Sequence, residues 1–180
     1  MREVAVLGIG QTTVDEHWDR SLKELAGEAS LAALNDANLS RVEAIFVGNM
    51  LSGMLSKQEN IGALISDWLG IPYPETTKVE AACASGAAAF RNGIISVSSG
   101  EVDIALVVGV EKMTESLPVE TTEALATAAD ADYEAVHGLS FVSINALVMQ
   151  RYLHVYGWSH TDFANFSINA HANAIHNPYA

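Results

Sequence analysis

Val79-Glu80-Ala81-Ala82-Cys83-Ala84-Ser85-Gly86-Ala87-Ala88-Ala89 joins two kinds of sequence with nothing between them. Upstream, Lys78 to Ala82 reads as a short strand. Downstream, residues 83–99 are rich in small side chains and close on Gly100, which reads as a helix with a glycine stop. A strand therefore runs straight into a helix, and Cys83 stands at the junction. The first N–H groups of a helix lack intrahelical partners, and the macrodipole is positive at that end. An anion is favoured there, so a thiol in that place is expected to be a good nucleophile. The same N–H groups could stabilise the oxyanion of an attacked carbonyl. Small residues on both sides permit close helix packing and leave room for a substrate. The other reading is structural, a buried Cys that behaves as a small hydrophobe. The spacing by itself leaves both open.

Working outward, the flanking segments repeat the alternation of strand and helix. Ala44 to Gly48 reads as a strand, and Val4 to Ile9 as a buried strand that stops in a turn at Gly8-Ile-Gly10. Between them, residues 21–37 carry Leu22, Leu25, Ala26, Ala29, Ala32 and Ala33 at helical spacing. Ser21 and Glu24 form a capping-box pattern at its start. Ser56 and Glu59 repeat that pattern, predicting a helix to about Leu69 that Gly70 and Pro72 end. Asp103 to Val110 is a nearly continuous apolar strand. The alternation predicts an α/β fold, a mostly parallel sheet with helices on both faces. Strands this apolar fit burial on both sides. After Val110 the character changes. Residues 111–134 hold seven acids and one Lys, which reads as a solvated connection containing a helix. A second helical region begins near Phe141, and the tail 151–180 carries four of the six histidines.

The 180 residues fit one ordinary domain, or one domain and part of a second. Apolar residues make up 49%, enough for a sizeable core, and disorder is not expected. A net charge of −13 with nine Lys and Arg argues against nucleic acid and against an anionic membrane surface. It does not exclude an anionic small molecule met by local amides. One cysteine excludes an intrachain disulfide and suits a reducing compartment. The start is too short and strand-like for a signal segment, and no apolar run spans a membrane. A soluble cytoplasmic protein is expected. Gly8-Ile-Gly10 fails as a dinucleotide fingerprint, because the third glycine falls at Thr13. Ser85 lacks the preceding glycine of a nucleophile elbow. His154, His160, His171 and His176 are not spaced one helical turn apart, so no metal is expected. His137-Gly138 is the better candidate for a pocket residue. Asn38-Leu-Ser40 and Asn165-Phe-Ser167 match a glycosylation pattern that a cytoplasmic protein does not use.

Several stretches in order resemble the thiolases. Val6-Leu-Gly-Ile-Gly10-Gln-Thr12 is similar to their opening strand and turn, and Ser21-Leu-Lys-Glu-Leu-Ala26 to the first helix. Val79 to Gly86 resembles the nucleophile motif. Val107-Val-Gly109-Val-Glu111-Lys-Met113-Thr114 resembles the strand-end motif that follows. Ala128 to Asp132 and His137-Gly138 resemble the start of the loop domain that covers the substrate. The details look most like the sterol-carrier-protein type and the archaeal acetyl-CoA acetyltransferases. The resemblance implies a thiolase-like N-terminal α/β domain over 1–115 and part of a helical loop domain over 116–180, with a similar second half absent. It implies that Cys83 takes an acyl group from acyl-CoA. A second acyl-CoA then loses a proton α to its carbonyl and attacks the acyl-enzyme, giving a 3-ketoacyl-CoA; the reverse direction cleaves it. Acetyl-CoA and acetoacetyl-CoA are the implied pair, with no permanently bound cofactor. His137 maps to a loop-domain histidine of the acyl-CoA pocket. A homodimer or tetramer is implied, formed near the strand before Cys83, and hydroxymethylglutaryl-CoA synthase is an implied partner in isoprenoid synthesis.

The same resemblance marks what these residues do not contain. The general-base histidine, the second reactive cysteine and further oxyanion donors lie in the second half of a thiolase. The last strand of the first sheet also comes from beyond the loop domain, so an open sheet edge and an exposed apolar face are expected. Two alternatives to an acyltransferase follow, a catalytically inert thiolase-like binding subunit and the ketoacyl synthase branch of the same fold. By themselves, residues 1–180 are expected to turn over no substrate, because general acid–base groups contribute ~10²–10⁴-fold.

Overall fold

The computed structural model describes residues 2–180. The chain divides into two compact units, Met1–Thr12 with Glu16–Ser116, and Thr13–Asp15 with Leu117–Ala180.

The first unit begins with an extended segment and then runs α1 (Leu22–Asp36), β1 (Ala44–Gly48), α2 (Ser52–Leu55), α3 (Ile61–Leu69) and β2 (Glu75–Val79). It ends with α4 (Ser85–Ser99) and β3 (Ala105–Gly109). The three strands are parallel in the order β2-β1-β3, with Phe46 opposite Thr77 and Val107. Period-two alternation sorts the side chains between two faces. Ile45, Val47, Leu106 and Val108 pack with Leu22, Ala26 and Leu34 of α1 and Ile61 and Ile65 of α3. Ala44, Phe46, Ala105 and Val107 face Ala89 and Val97 of α4. Helices therefore cover both sheet faces, and every residue of β1 is buried. Each fully buried Ile or Val contributes about 1.5–3 kcal/mol relative to exposure.

The Ser21 capping box forms as the spacing predicts. Ser21 Oγ accepts the Glu24 N–H at 3.3 Å, and the Glu24 carboxylate accepts the Ser21 N–H at 2.7 Å. The Ser21 hydroxyl, and then its backbone N–H, hold the Glu24 carboxyl below its ordinary value. The second box does not form. Ser56 caps the end of α2, and the Glu59 carboxylate binds Lys78 Nζ at 2.9 Å. The following helix starts at Ile61 behind Asn60, whose φ is 54°. Its predicted stop is correct: Gly70 adopts φ 67°, and the Ile71 N–H returns to the Ser66 carbonyl at 3.1 Å.

Strand limits also shift. The strand expected over Lys78–Ala82 occupies Glu75–Val79 instead, because the Glu80 carboxylate accepts the Ala82 N–H and Ala82 turns to φ 47°. The strand expected over 103–110 narrows to Ala105–Gly109, because Glu43 takes the N–H groups of Asp103 and Ile104.

The largest correction concerns Val4 to Ile9. It forms no strand, and Val6, Leu7 and Ile9 are 60–76% exposed rather than buried. The segment is fastened elsewhere. The Arg2 guanidinium binds Asp103 at 2.7 Å, and the Ile9 N–H binds Asp36 at 2.9 Å. Gly8 lies against Ala33 of α1 and Gly10 against Ala29. Two residues of segment thus match four residues of helix. Two extended residues span about 6.6 Å and four helical ones about 6 Å, so the segment is extended and antiparallel to α1. Between it and β3 lies a cleft of about 770 Å³, walled by Val4–Gly10 on one side and Ile104–Gly109 on the other. Among the described residues β3 is hydrogen-bonded to no strand but β1, so its other edge is open.

The second unit holds α5 (Pro118–Ala126), α6 (Phe141–Tyr156) and α7 (Ala164–Ala174), with short 3-10 turns at Ala135–His137 and His160–Phe163. Ser140 caps α6, accepting the Ser143 N–H at 3.2 Å, and Gly157 ends it at φ 67°. Ser159 and Asp162 make a further capping box, in which the Ser159 backbone N–H and then its hydroxyl lower the Asp162 carboxyl. Tyr152, Trp158 and Phe163 form a mutually packed aromatic group. Among the described residues no helix is long and apolar enough to cross a membrane.

Candidate active site

Cys83 lies in a single 3-10 turn, Ala82–Ala84, that carries the chain from β2 into α4. Its side chain is exposed, so a thiol buried as a small hydrophobe does not describe it. The α-helix proper begins two residues later than the sequence suggests, at Ser85. Ala84, at the N-cap of α4, brings no side-chain cap, while the Ala84 and Ser85 N–H groups donate within the turn to the Ala81 and Ala82 carbonyls. A Cβ placed on Gly86 would meet nothing within 4 Å, so there is open space beside the thiol's helix.

Close approach of sheet and helix sets the position of that turn. A Cβ on Gly48, the last residue of β1, would stand 2.5 Å from the Ser85 carbonyl and 2.6 Å from the Gly86 backbone. One on Gly93 would stand 2.7 Å from Val107. Glycines at these two points let α4 sit directly on the sheet.

The strand ends are tied by a polar group that sequence reasoning missed. Asn49 is 1% exposed; its N–H donates to the Val79 carbonyl at 3.2 Å. Its Nδ2 donates to the Val110 carbonyl at 2.9 Å and to Glu111 at 2.6 Å. Its Oδ1 accepts the Ser52 N–H at 2.9 Å. Glu111 also accepts the N–H groups of Met50 at 3.0 Å and Leu51 at 3.2 Å. The carboxylate thereby satisfies donors that would otherwise be orphaned where β1 stops. The available signal was a pair of polar residues, Asn49 and Glu111, each placed just after an apolar strand.

His137 lies in the second unit, in the exposed turn Ala135–His137 closed by Gly138 at φ 74°. The structure thus puts Cys83 and His137 in different units. His154, His160, His171 and His176 are all exposed. Among the described residues no three His, Cys, Asp or Glu side chains converge on a possible metal position.

A family model described as the N-terminal domain of thiolase matches residues 4–180. The chain belongs to the thiolase family. It is 44% identical, over its full length, to an acetyl-CoA acetyltransferase of Methanothermobacter thermautotrophicus, of which it covers 47%. It is 41% identical to the acetyl-CoA acetyltransferase of Methanocaldococcus jannaschii, covering 46% of that protein. In three dimensions it resembles the Ltp2–ChsH2(DUF35) aldolase, with a TM-score of 0.77 at 22% identity over 98% of this chain and 44% of that one. That likeness shows the fold alone. The chain spans about half the length of the curated thiolases it matches. Its first unit holds the parallel sheet, with the Cys83 turn just beyond the C-terminal end of β2.

Proposed function

We propose that the protein carrying this chain is a thiolase-type acyltransferase and that Cys83 is its acyl carrier. The supporting observation is an exposed thiol on the turn into α4, in a chain 44% identical to an acetyl-CoA acetyltransferase. Cys83 Sγ attacks the carbonyl carbon of an acyl-CoA, and the α4 N–H groups meet the oxyanion. The bond to coenzyme A sulfur breaks, coenzyme A leaves and takes a proton, and the acyl group stays on Cys83. A second acyl-CoA, deprotonated α to its carbonyl by a base from the other half, attacks that carbonyl. A carbon–carbon bond forms, the Cys83 thiolate is released, and a 3-ketoacyl-CoA departs.

Acetyl-CoA is the proposed substrate and acetoacetyl-CoA the product, as the names of the two archaeal relatives suggest. Residues 116–180 are assigned to the loop domain, with His137 at the acyl-CoA pocket. The cleft beside β3 is assigned to the sheet's last strand, from the half not spanned by these residues. The edge strand β2 is the proposed seat of a homodimer, itself the basis of a tetramer. The cytoplasm is the proposed compartment, since a working thiol needs reducing surroundings. Hydroxymethylglutaryl-CoA synthase is the proposed consumer of the product, in the mevalonate route to isoprenoids.

The test is intact mass after incubation with acetyl-CoA, beside a Cys83→Ser control. One acetyl group on the parent and none on the control is the expected result. An acetyl group on both would remove Cys83 from the carrier role. None on either, with the thiol still open to alkylation in the complete protein, would leave the inert subunit as the better reading.

A further inference from the structure

Ser85 is the first residue of α4, and it is 5% exposed. The N-cap of α4 is Ala84, and Ser85, one residue further in, turns its hydroxyl back toward the residues before the helix. Its Oγ accepts the Ala81 N–H at 2.9 Å and donates to the Ala82 carbonyl at 2.6 Å. Both partners precede Cys83, so the hydroxyl bridges the nucleophile from one side to the other.

The bridged corner is a strained one. Ala82 holds φ 47°, the left-handed region, which disfavours a residue with a Cβ by about 1–2 kcal/mol. Ala81 before it sits at φ −156°, ψ 46°. Such a conformation persists only where its surroundings over-determine it. The Ser85 hydroxyl supplies two of the restraints. Its own backbone is fixed in turn, because the Ser85 carbonyl lies against Gly48 at the end of β1. The sheet thus holds Ser85, and Ser85 holds the corner from which Cys83 projects.

We propose that Ser85 is a positioning residue for acyl transfer, its hydroxyl clamping the Ala81–Ala82 corner so that Cys83 Sγ is presented at the first turn of α4. The proposal rests on the reading of Cys83 as the acyl carrier. Ser85 need not touch substrate for this role.

Three variants of the protein carrying this chain test it: Ser85→Ala, Ser85→Thr and Ala82→Gly. Two readouts are used, the rate of Cys83 alkylation by iodoacetamide, followed by peptide mass across pH, and kcat and KM for acyl transfer. Misplacement of a reacting atom by about 1 Å can cost ~10²-fold, so Ser85→Ala is expected to lower both rates by between about ten-fold and a hundred-fold, with KM changed less than kcat. Ser85→Thr keeps the oxygen and is expected to restore most of the loss. Glycine tolerates φ 47° without penalty, so Ser85→Ala in an Ala82→Gly background is expected to lose less than in the parent. Parental alkylation rate and pH profile in Ser85→Ala would overturn the clamp, as would a Thr variant no better than Ala or purely additive losses in the double variant. If Ser85→Ala does not fold, the comparison is made in the Ala82→Gly background, where Ser85→Ala is expected to slow alkylation and kcat and Ser85→Thr to restore them, and equal rates in all three would overturn the clamp. Alkylation does not depend on acyl-CoA. A parent that alkylates normally yet never acquires an acetyl group would therefore defeat the acyl-carrier reading and leave the clamp standing.

Discussion

A methyl group on Gly10 would stand 2.2 Å from the Ala29 carbonyl oxygen, and one on Gly8 2.4 Å from that of Ala33. Neither glycine has a positive φ; the requirement is closeness to α1. Gly10→Ala is therefore expected to destabilise the fold by about 1–3 kcal/mol, the usual range for overpacking. Gly86→Ala is the control, since its added Cβ meets open space and alanine suits a helix better by about 1 kcal/mol. Denaturant midpoints of the two variants settle it, and equal losses in both would contradict the packing account. The sequence could exclude a dinucleotide site at Gly8-Ile-Gly10 but could not say what the pair is for. The two Ser-x-x-Glu patterns teach the same lesson. They are identical in spacing, yet Glu24 folds back on Ser21 while Glu59 crosses to Lys78. A local pattern decides the outcome only where no distant cation competes for its carboxylate. The Cys83 junction was legible because strand, thiol and helix are contiguous; the Asn49–Glu111 tie was not, because its halves lie 62 residues apart.

At the scale of the element, helix ends carry a pH dependence with a definite sign. Glu24 and Asp162 are both held below their ordinary values of 4.5 and 3.8 by their serine partners. A depressed carboxyl adds stability above its unfolded value and loses it as pH falls through the lower folded one. The starts of α1 and of the 160–163 turn are thus expected to fray in acid, below pH 4.5 and 3.8 respectively, before the sheet core opens. Amide exchange at Glu24 and Leu25 against pH measures the first, and Ser21→Ala should flatten its acid dependence. An unchanged profile in that variant would mean that the box contributes nothing. Helix ends at Gly70 and Gly100 were readable from single glycines, and both adopt positive φ. Strand ends were not, because Glu43 and Glu80 divert backbone N–H groups that a pattern of apolar residues assigns to the ladder.

For the whole first unit, alternation of strand and helix was enough to foresee a parallel sheet covered on both faces. It could not place Val4 to Ile9, because an apolar run specifies burial and not the neighbour that provides it. With β3 open and Val6, Leu7 and Ile9 exposed, residues 1–180 alone are expected to self-associate or to bind a hydrophobic dye. Supplying the other half as a separate chain should abolish dye binding and slow amide exchange along β3. Rapid exchange at β3 within the assembled protein would show that the cleft is not filled by a strand.

That cleft also sets an order of events in time. Its outer wall is anchored to α1 and to Asp103, and its inner wall to β1, so both stand before anything lies between them. An arriving strand need order only itself, and none of the existing layers has to come apart to admit it. Pairings between segments far apart in a chain form slowly, since loop closure precedes any gain. On the proposed assignment of the cleft to the sheet's last strand, the unit can persist as a half-closed intermediate, its aliphatic lining open to chaperones and to other copies.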